Sequence, residues 1–395
     1  MTELVLPNNA LFGLGIQQGA GATDYAKLVA GYEELVSEAN MHYFPLTALG
    51  IAPVKTIENL PPEIGGRAFP LGAYVAGAWA EGGASFIARL NNRFGWLLLA
   101  LHGEVSTVSD NKCEDLAITG GVGAVTAGVN SHVFSLFTAN QFFLPWLSLN
   151  RLLPHPTAGE RVGEKFQDGK IRTATLTAAA GQPVTFDLDL VARLNQSDYV
   201  FNIDPETNLS WDPVYDNLED FGVASCDGHI QINDVAYPAQ SIAVTWTNQL
   251  LAPAQSLTVG TIHPIDFPAL GRGMQVTVTF LVQNYDLYLS TFTGATVDAS
   301  ASSGENATCT PYEADVDVMV ASQTPIGAAG DPDEPFRLRV VSSDTEDNVV
   351  WQIRPVNITP GRPVMVQATG TVQGIDTGEP FHTILQNAQT NYELP

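Results

Sequence analysis

From Lys170 to Leu194 the chain reads KIRTATLTAAAGQPVTFDLDLVARL, with apolar and polar residues alternating on either side of Gly181-Gln182-Pro183. Alternation at period two places each set of side chains on its own face of a strand. The segment therefore predicts a β-hairpin with one buried face, Ile171–Thr177 pairing with Val184–Val191. The pattern returns in SIAVTWTNQLL and LGRGMQVTVTFLVQN, with Gly271-Arg272-Gly273 as the break between strands. There Val244, Trp246, Val276 and Val278 fall on one face and Thr245, Thr247, Thr277 and Thr279 on the other. Four further runs close the chain: DVDVMVAS, PFRLRVVS, NVVWQIRPVNI and PVMVQATGTVQ.

Two stretches leave this period. Around ARLNNRFGWLLLALHG the apolar side chains Phe86, Leu90, Phe94, Leu97 and Leu101 recur every three or four residues, which predicts a helix over Ser85–His102. Ser85 reads as its N-cap and Gly103 as its stop. The run Trp96–Leu101 is far too short to cross a bilayer, so the helix docks on a core. In QNYDLYLSTFTG, Tyr285, Leu289 and Phe292 have the same spacing before Gly294, which predicts a second helix over Asn284–Thr293. A strand, a helix and a glycine stop thus appear once in each half. This reads as an internal duplication, with domains at 1–197 and 198–395 and a polar seam at Asn195–Asp220. The fold class is mainly β: two tandem β-sandwich or partial-barrel units, each flanked by one helix. Met1–Gly21, Thr107–Ser131, Pro154–Gln167 and Thr296–Tyr312 read as an arm and loops outside the packed body.

Composition narrows the function. With 395 residues, 45% hydrophobic and 15% charged, the chain is globular. Its 42 acidic against 17 basic residues give a net charge of −25, which opposes any grip on nucleic acid through phosphate neutralisation. The N-terminal MTELVLPNNALFGLG lacks the pattern of a secretory signal, so a cytoplasmic product is expected. Cys113, Cys226 and Cys309 are too scattered for a disulfide framework or a zinc site.

Motifs for chemistry are missing where they would be looked for. GLGIQQGAG has neither the spacing nor the lysine of a phosphate loop, and no G-x-S-x-G elbow occurs. The seven histidines show no metal-ligand spacing, and His102 is expected to meet the last carbonyls and the dipole of its helix. The acidic cluster Asp204, Glu206, Asp212, Asp216, Glu219 and Asp220 lies out of register for calcium and reads as a solvated linker. No catalytic, cofactor-binding or metal-binding residue is assigned, no cofactor is implied, and an enzyme is not expected.

The order of elements resembles the tail tube (major tail) proteins of long-tailed bacteriophages. The matching features are the helix ending Leu98–Gly103, His132 with Phe134, Leu144-Pro145, and the hairpin Gly169–Val191. The second half resembles the same unit less closely, through CDGHIQINDVAYPAQSIAVTWTNQLL, GRGMQVTVTFLV and the helix ending at Gly294. The resemblance implies two β-sheets with a flanking helix, assembly into stacked rings around a DNA-conducting channel, and residence in the virion tail after assembly in the host cytoplasm. The implied partners are the chain itself and other tail proteins: tape measure, tail terminator and distal tail protein. DNA would pass through without specific binding, and no membrane is involved. Two units per chain imply a ring of three chains with approximate six-fold outline. An acidic wall suits such a channel, because each basic contact would retard a polyanion. The rival reading is a sugar-binding or adhesive β-sandwich, with Trp146, Trp211 and Tyr312 as its exposed aromatics, whereas Trp79, Trp246 and Trp351 read as core.

Overall fold

A computed structural model describes residues 11–17, 41–60, 72–113, 128–136, 141–154, 161–202, 228–282, 286–294, 311–326, 335–342, 347–354, 364–375 and 378–392. The first half contains β1 (Leu11–Ile16), β2 (His42–Pro45), β3 (Ala48–Leu49), β4 (Ala52–Asn59), β5 (Ala73–Ile87), α1 (Asn92–His102), β6 (Gly103–Val108), β7 (Asn130–Leu136), β8 (Leu147–Pro154), β9 (Arg161–Ala179) and β10 (Thr185–Asn202). The second contains β11 (His229–Ile232), β12 (Val235–Tyr237), β13 (Ala239–Leu250), β14 (Ala269–Leu281), α2 (Asp286–Thr293), β15 (Tyr312–Ala314), β16 (Val316–Pro325), β17 (Pro335–Ser342), β18 (Val349–Ile353), β19 (Met365–Val372) and β20 (Phe381–Asn387). The mainly-β reading holds.

All the strands pair antiparallel in two sheets. The larger runs β15-β18-β19-β14-β13-β9-β10-β5-β3, with β4 on β5 and with β8, β1 and β2 branching from β9. The smaller runs β12-β11-β16-β17-β20-β7-β6. Both sheets cross the midpoint of the chain. In the larger, β9 pairs with β13, Thr175 opposite Thr245; in the smaller, β20 pairs with β7, Thr383 opposite Phe134. The 197/198 boundary lies inside β10. One hydrophobic cluster joins the inward side chains of both sheets, among them Leu176, Trp246, Val276, Val318 and Leu338.

The predicted hairpin forms as β9 and β10, with Gly181 at φ 72° in its turn. The Thr-rich alternation of β13 and β14 also holds, with Val244, Trp246, Val276 and Val278 all buried. Its break does not fall at Gly271–Gly273, which lie within β14; the connector is Leu251–Pro268.

The first helix begins later than its apolar spacing predicts. Ser85 is not its N-cap, because β5 continues to Ile87 with Ser85 paired to Asp187. The cap is Asn91, whose Oδ1 accepts from the Arg93 and Phe94 amides at 3.1 and 3.3 Å. Phe86, Leu90, Phe94, Leu97 and Leu101 are all buried as expected, but so are Leu98, Leu99 and Ala100. A helix apolar on every side belongs inside a core. Accordingly α1 touches β1, β2 and β9 of one sheet and β6, β7 and β20 of the other, rather than flanking a sheet. Gly103 ends it in the left-handed region at φ 106°, and Gly294 ends α2 at φ 71°.

The second helix starts at Asp286; Asn284 and Tyr285 lie outside the described residues. Its buried face is Leu287, Ser290 and Thr293, so the predicted stripe is wrong and Phe292 points to solvent. Thr293 Oγ1 donates to the Leu289 carbonyl at 3.0 Å, which lets a hydroxyl face the interior. The predicted N-terminal arm is corrected as well. Leu11–Ile16 form β1, paired to β2 and β8, with Phe12 and Leu14 fully buried. Arg161–Gln167, expected in a loop, belong to β9 and pair with β8 and β10. Most of Thr107–Ser131 and Thr296–Tyr312, and the acidic cluster Asp204–Asp220, lie outside the described residues.

Candidate functional surface

The larger sheet repeats a local pattern. In the first half the chain order β4, β5, β9, β10 becomes the spatial order β4-β5-β10-β9. In the second half β13, β14, β18, β19 becomes β13-β14-β19-β18. Each opening hairpin also carries a one-residue bulge. Thr56 faces Gly77 and then Ile57 faces Val75; Gln249 faces Gly271 and then Leu250 faces Ala269. Each second strand is followed by a helix and a left-handed glycine. A bulge is a positional device rather than a by-product of composition, so its recurrence at matching places is a strong sign of repetition.

The two blocks meet at the β9/β13 seam. On its inward side Leu176 pairs with Val244 and Ala174 with Trp246. On the outward side the Thr175 and Thr245 hydroxyls lie 3.2 Å apart. That outward face continues through Ser85, Asp187, Thr175, Thr245, Gln275 and Thr371, which lie side by side across six strands. Its charges are few. Arg172 donates two bonds to Asp189, at 2.6 and 2.9 Å, and sits 3.8 Å from Glu81. The Asp189 hydrogen bond holds the guanidinium above its ordinary pKa. Asp187 is exposed, leaving the patch acidic and otherwise hydroxyl-rich.

Towards one end of the seam the Leu251–Pro268 connector folds over the first block. Lys170 Nζ reaches Asp266 at 3.2 Å and the Phe267 carbonyl at 3.0 Å, and lies 4.0 Å from the centre of the Trp146 ring. Arg193 donates to the Pro264 carbonyl at 2.6 Å and pairs with buried Asp168 at 2.8 Å. The Ala78 amide donates to the Ile262 carbonyl at 2.6 Å. Trp146, Val191 and Phe267 form a small hydrophobic cluster beneath, with Leu250 packed against it.

A second tie runs through α1. Arg272 on β14 donates to the Leu101 carbonyl at 2.7 Å, the His102 carbonyl at 2.8 Å and Asn248 Oδ1 at 2.8 Å. Burial lowers its pKa to about 10, and it still carries its charge at neutral pH. Arg272 thus does the work expected of His102. His102 is fully buried among Phe134, Trp246 and Phe381, and burial drives its pKa well below 6.5, so a neutral ring offers the dipole nothing.

The rival adhesive reading loses two of its three aromatics: Trp146 lies under Lys170, Tyr312 is buried on β15, and Trp211 lies outside the described residues. Trp79, Trp246 and Trp351 are buried as expected. Cys113 is buried, its amide donating to Gln386 Oε1 and its carbonyl accepting from Arg339; Cys226 and Cys309 lie outside the described residues. Among the described residues no group of His, Cys, Asp and Glu is arranged to hold a metal ion, and no helix is long and apolar enough to cross a membrane.

Two antiparallel sheets with a repeated strand order, a hydroxyl-lined face and buried cross-block ties define a mainly-β protein. Residues 8–340 match the phage tail tube protein family, and the chain belongs to that family. No curated protein matches the chain. The family is one of virion structural proteins, generally non-enzymatic, which assemble with copies of themselves and with other tail proteins. The chain is accordingly a structural component of the virion tail.

Proposed function

We propose that the protein is the ring-forming subunit of a phage tail tube, three chains closing each ring around a channel that conducts DNA during genome ejection. The observation that carries this reading is the repeated strand order joined head to tail at the β9/β13 seam. Each block acts as one tube unit, so the proposed domains are two repeats fused along shared sheets. The same junction between chains brings the β4 edge of one copy to the β18 side of the next, where three-residue β15 already occupies part of the edge. Three copies then give true three-fold and approximate six-fold symmetry.

The hydroxyl-rich face with Asp187, Asp189 and Glu81 is the channel wall in this reading. The Arg172 guanidinium on it is committed to Asp189, so it presents little to release counterions from DNA. Rings stack into the tail, assembled in the host cytoplasm against tape measure, terminator and distal tail proteins. The test is imaging of the purified protein at high concentration. Rings or tubes containing three copies per layer are expected; a layer of six copies, or particles that never close, would overturn the model.

A further inference from the structure

The two opening hairpins match residue by residue at their bulges, so their environments can be compared directly. Leu250 and Ala269 of the second hairpin correspond to Ile57 and Val75 of the first. Carrying the ladder registers across from the helix starts Asn92 and Asp286 makes Pro253 the counterpart of Leu60, and Thr371 on β19 the counterpart of Val191 on β10. Leu250 packs against the cluster of Val191, Trp146 and Phe267, Ala269 is only 8% exposed, and Pro253 is buried. Ile57, Leu60 and Val75 are 65%, 49% and 39% exposed. The second hairpin has a preceding block to lie on, and among the described residues the first has none.

We infer that the far end of β4–β5 is a docking surface for a second copy of this chain, with Ile57, Leu60 and Val75 packing over the outer end of β19 around Thr371 and Gln373. This rests on the ring reading above. The occupant is specified by the in-chain contact, which already shows one block's hairpin lying on the block before it. Thr371 and Gln373 are exposed, as a receiving surface must be, and among the described residues β4 pairs on one side only, with β5. A cluster of exposed apolar side chains at such an edge is a recognised mark of an association site.

The test compares purified full-length wild type, Ile57→Lys, Thr371→Glu and the double variant by sedimentation and electron microscopy. Each single variant is expected to remain folded by circular dichroism and to need roughly tenfold more protein to assemble. The double variant, which places lysine opposite glutamate, is expected to recover most of that loss. Single variants that assemble at the wild-type concentration, or a double variant no better than the worse single one, would overturn the contact. Wild type that forms no rings at all sinks the ring reading itself, a result separable from failure of this contact alone.

Discussion

The hairpins β4–β5 and β13–β14 carry the same bulge and the same sequel of helix and glycine, yet their far ends meet different surroundings. Leu250 is packed beside Phe267 and Trp146, while Ile57 stands in solvent. The helices differ in the opposite sense: α1 is enclosed by both sheets, whereas α2 touches β15 and β18 and leaves Phe292 exposed. Repetition of a backbone plan therefore does not fix burial; each copy's neighbours do. A protein with two unequal copies can give one the work of a shared core and leave the other's matching surface open.

The largest effect should separate the helices. Leu97→Ala leaves a cavity at a fully buried site and should cost about 2–5 kcal/mol in denaturant unfolding, whereas Phe292→Ala should stay within about 0.5 kcal/mol. Equal losses at both sites would break the asymmetry. The hairpin ends come next. Leu250→Ala should cost about 2 kcal/mol and Ile57→Ala under about 0.5 kcal/mol in the unassembled chain.

Acid sharpens the comparison, because buried histidines surround α1. His42, stacked on Trp96, and His132, bonded to Asn387, have pKa values lowered to about 4, chiefly by burial. Their folded forms stay neutral where unfolded histidine, near 6.5, takes up a proton. The stability they contribute is complete above about pH 6.5 and is lost as pH falls towards about 4. Replacing His132 with Gln should flatten the acid limb by about 1–2 kcal/mol at pH 5, measured as the change in pH slope. An unaltered slope would mean that the ring titrates normally. The smallest effect belongs to the seam: Thr175→Val should change stability by a few tenths to about 1 kcal/mol, since the hydroxyl pair is half-exposed.

Local pattern made much of this fold readable in advance. Period-two alternation located β9, β10, β13, β14 and the closing strands, and the threefold-to-fourfold spacing found α1. What failed depended on partners distant in the chain. Asn91 rather than Ser85 caps α1 because pairing with β10 keeps Ser85 in a strand. The buried face of α2 is not legible in its apolar spacing, because Ser290 and Thr293 are buried by packing that no periodicity records. Arg272 sits between two glycines that look like a turn, and its carbonyl partners at Leu101 and His102 lie some 170 residues away. Lys170 and Arg193, buried under the connector, gave no signal beyond breaking their strands' alternation.

β20 lies between β17 and β7, with Thr383 beside Phe134 on one side and Val340 on the other. On the ribosome, β7 is made long before β20, and at usual rates of synthesis the delay is roughly ten to fifty seconds. Until β20 is made, β7 lacks its second neighbour, and β17, itself made late, lacks one too. A nascent chain is thus kept from closing its smaller sheet until β20 arrives, and a chain halted before Phe381 lacks the strand that joins β7 to β17.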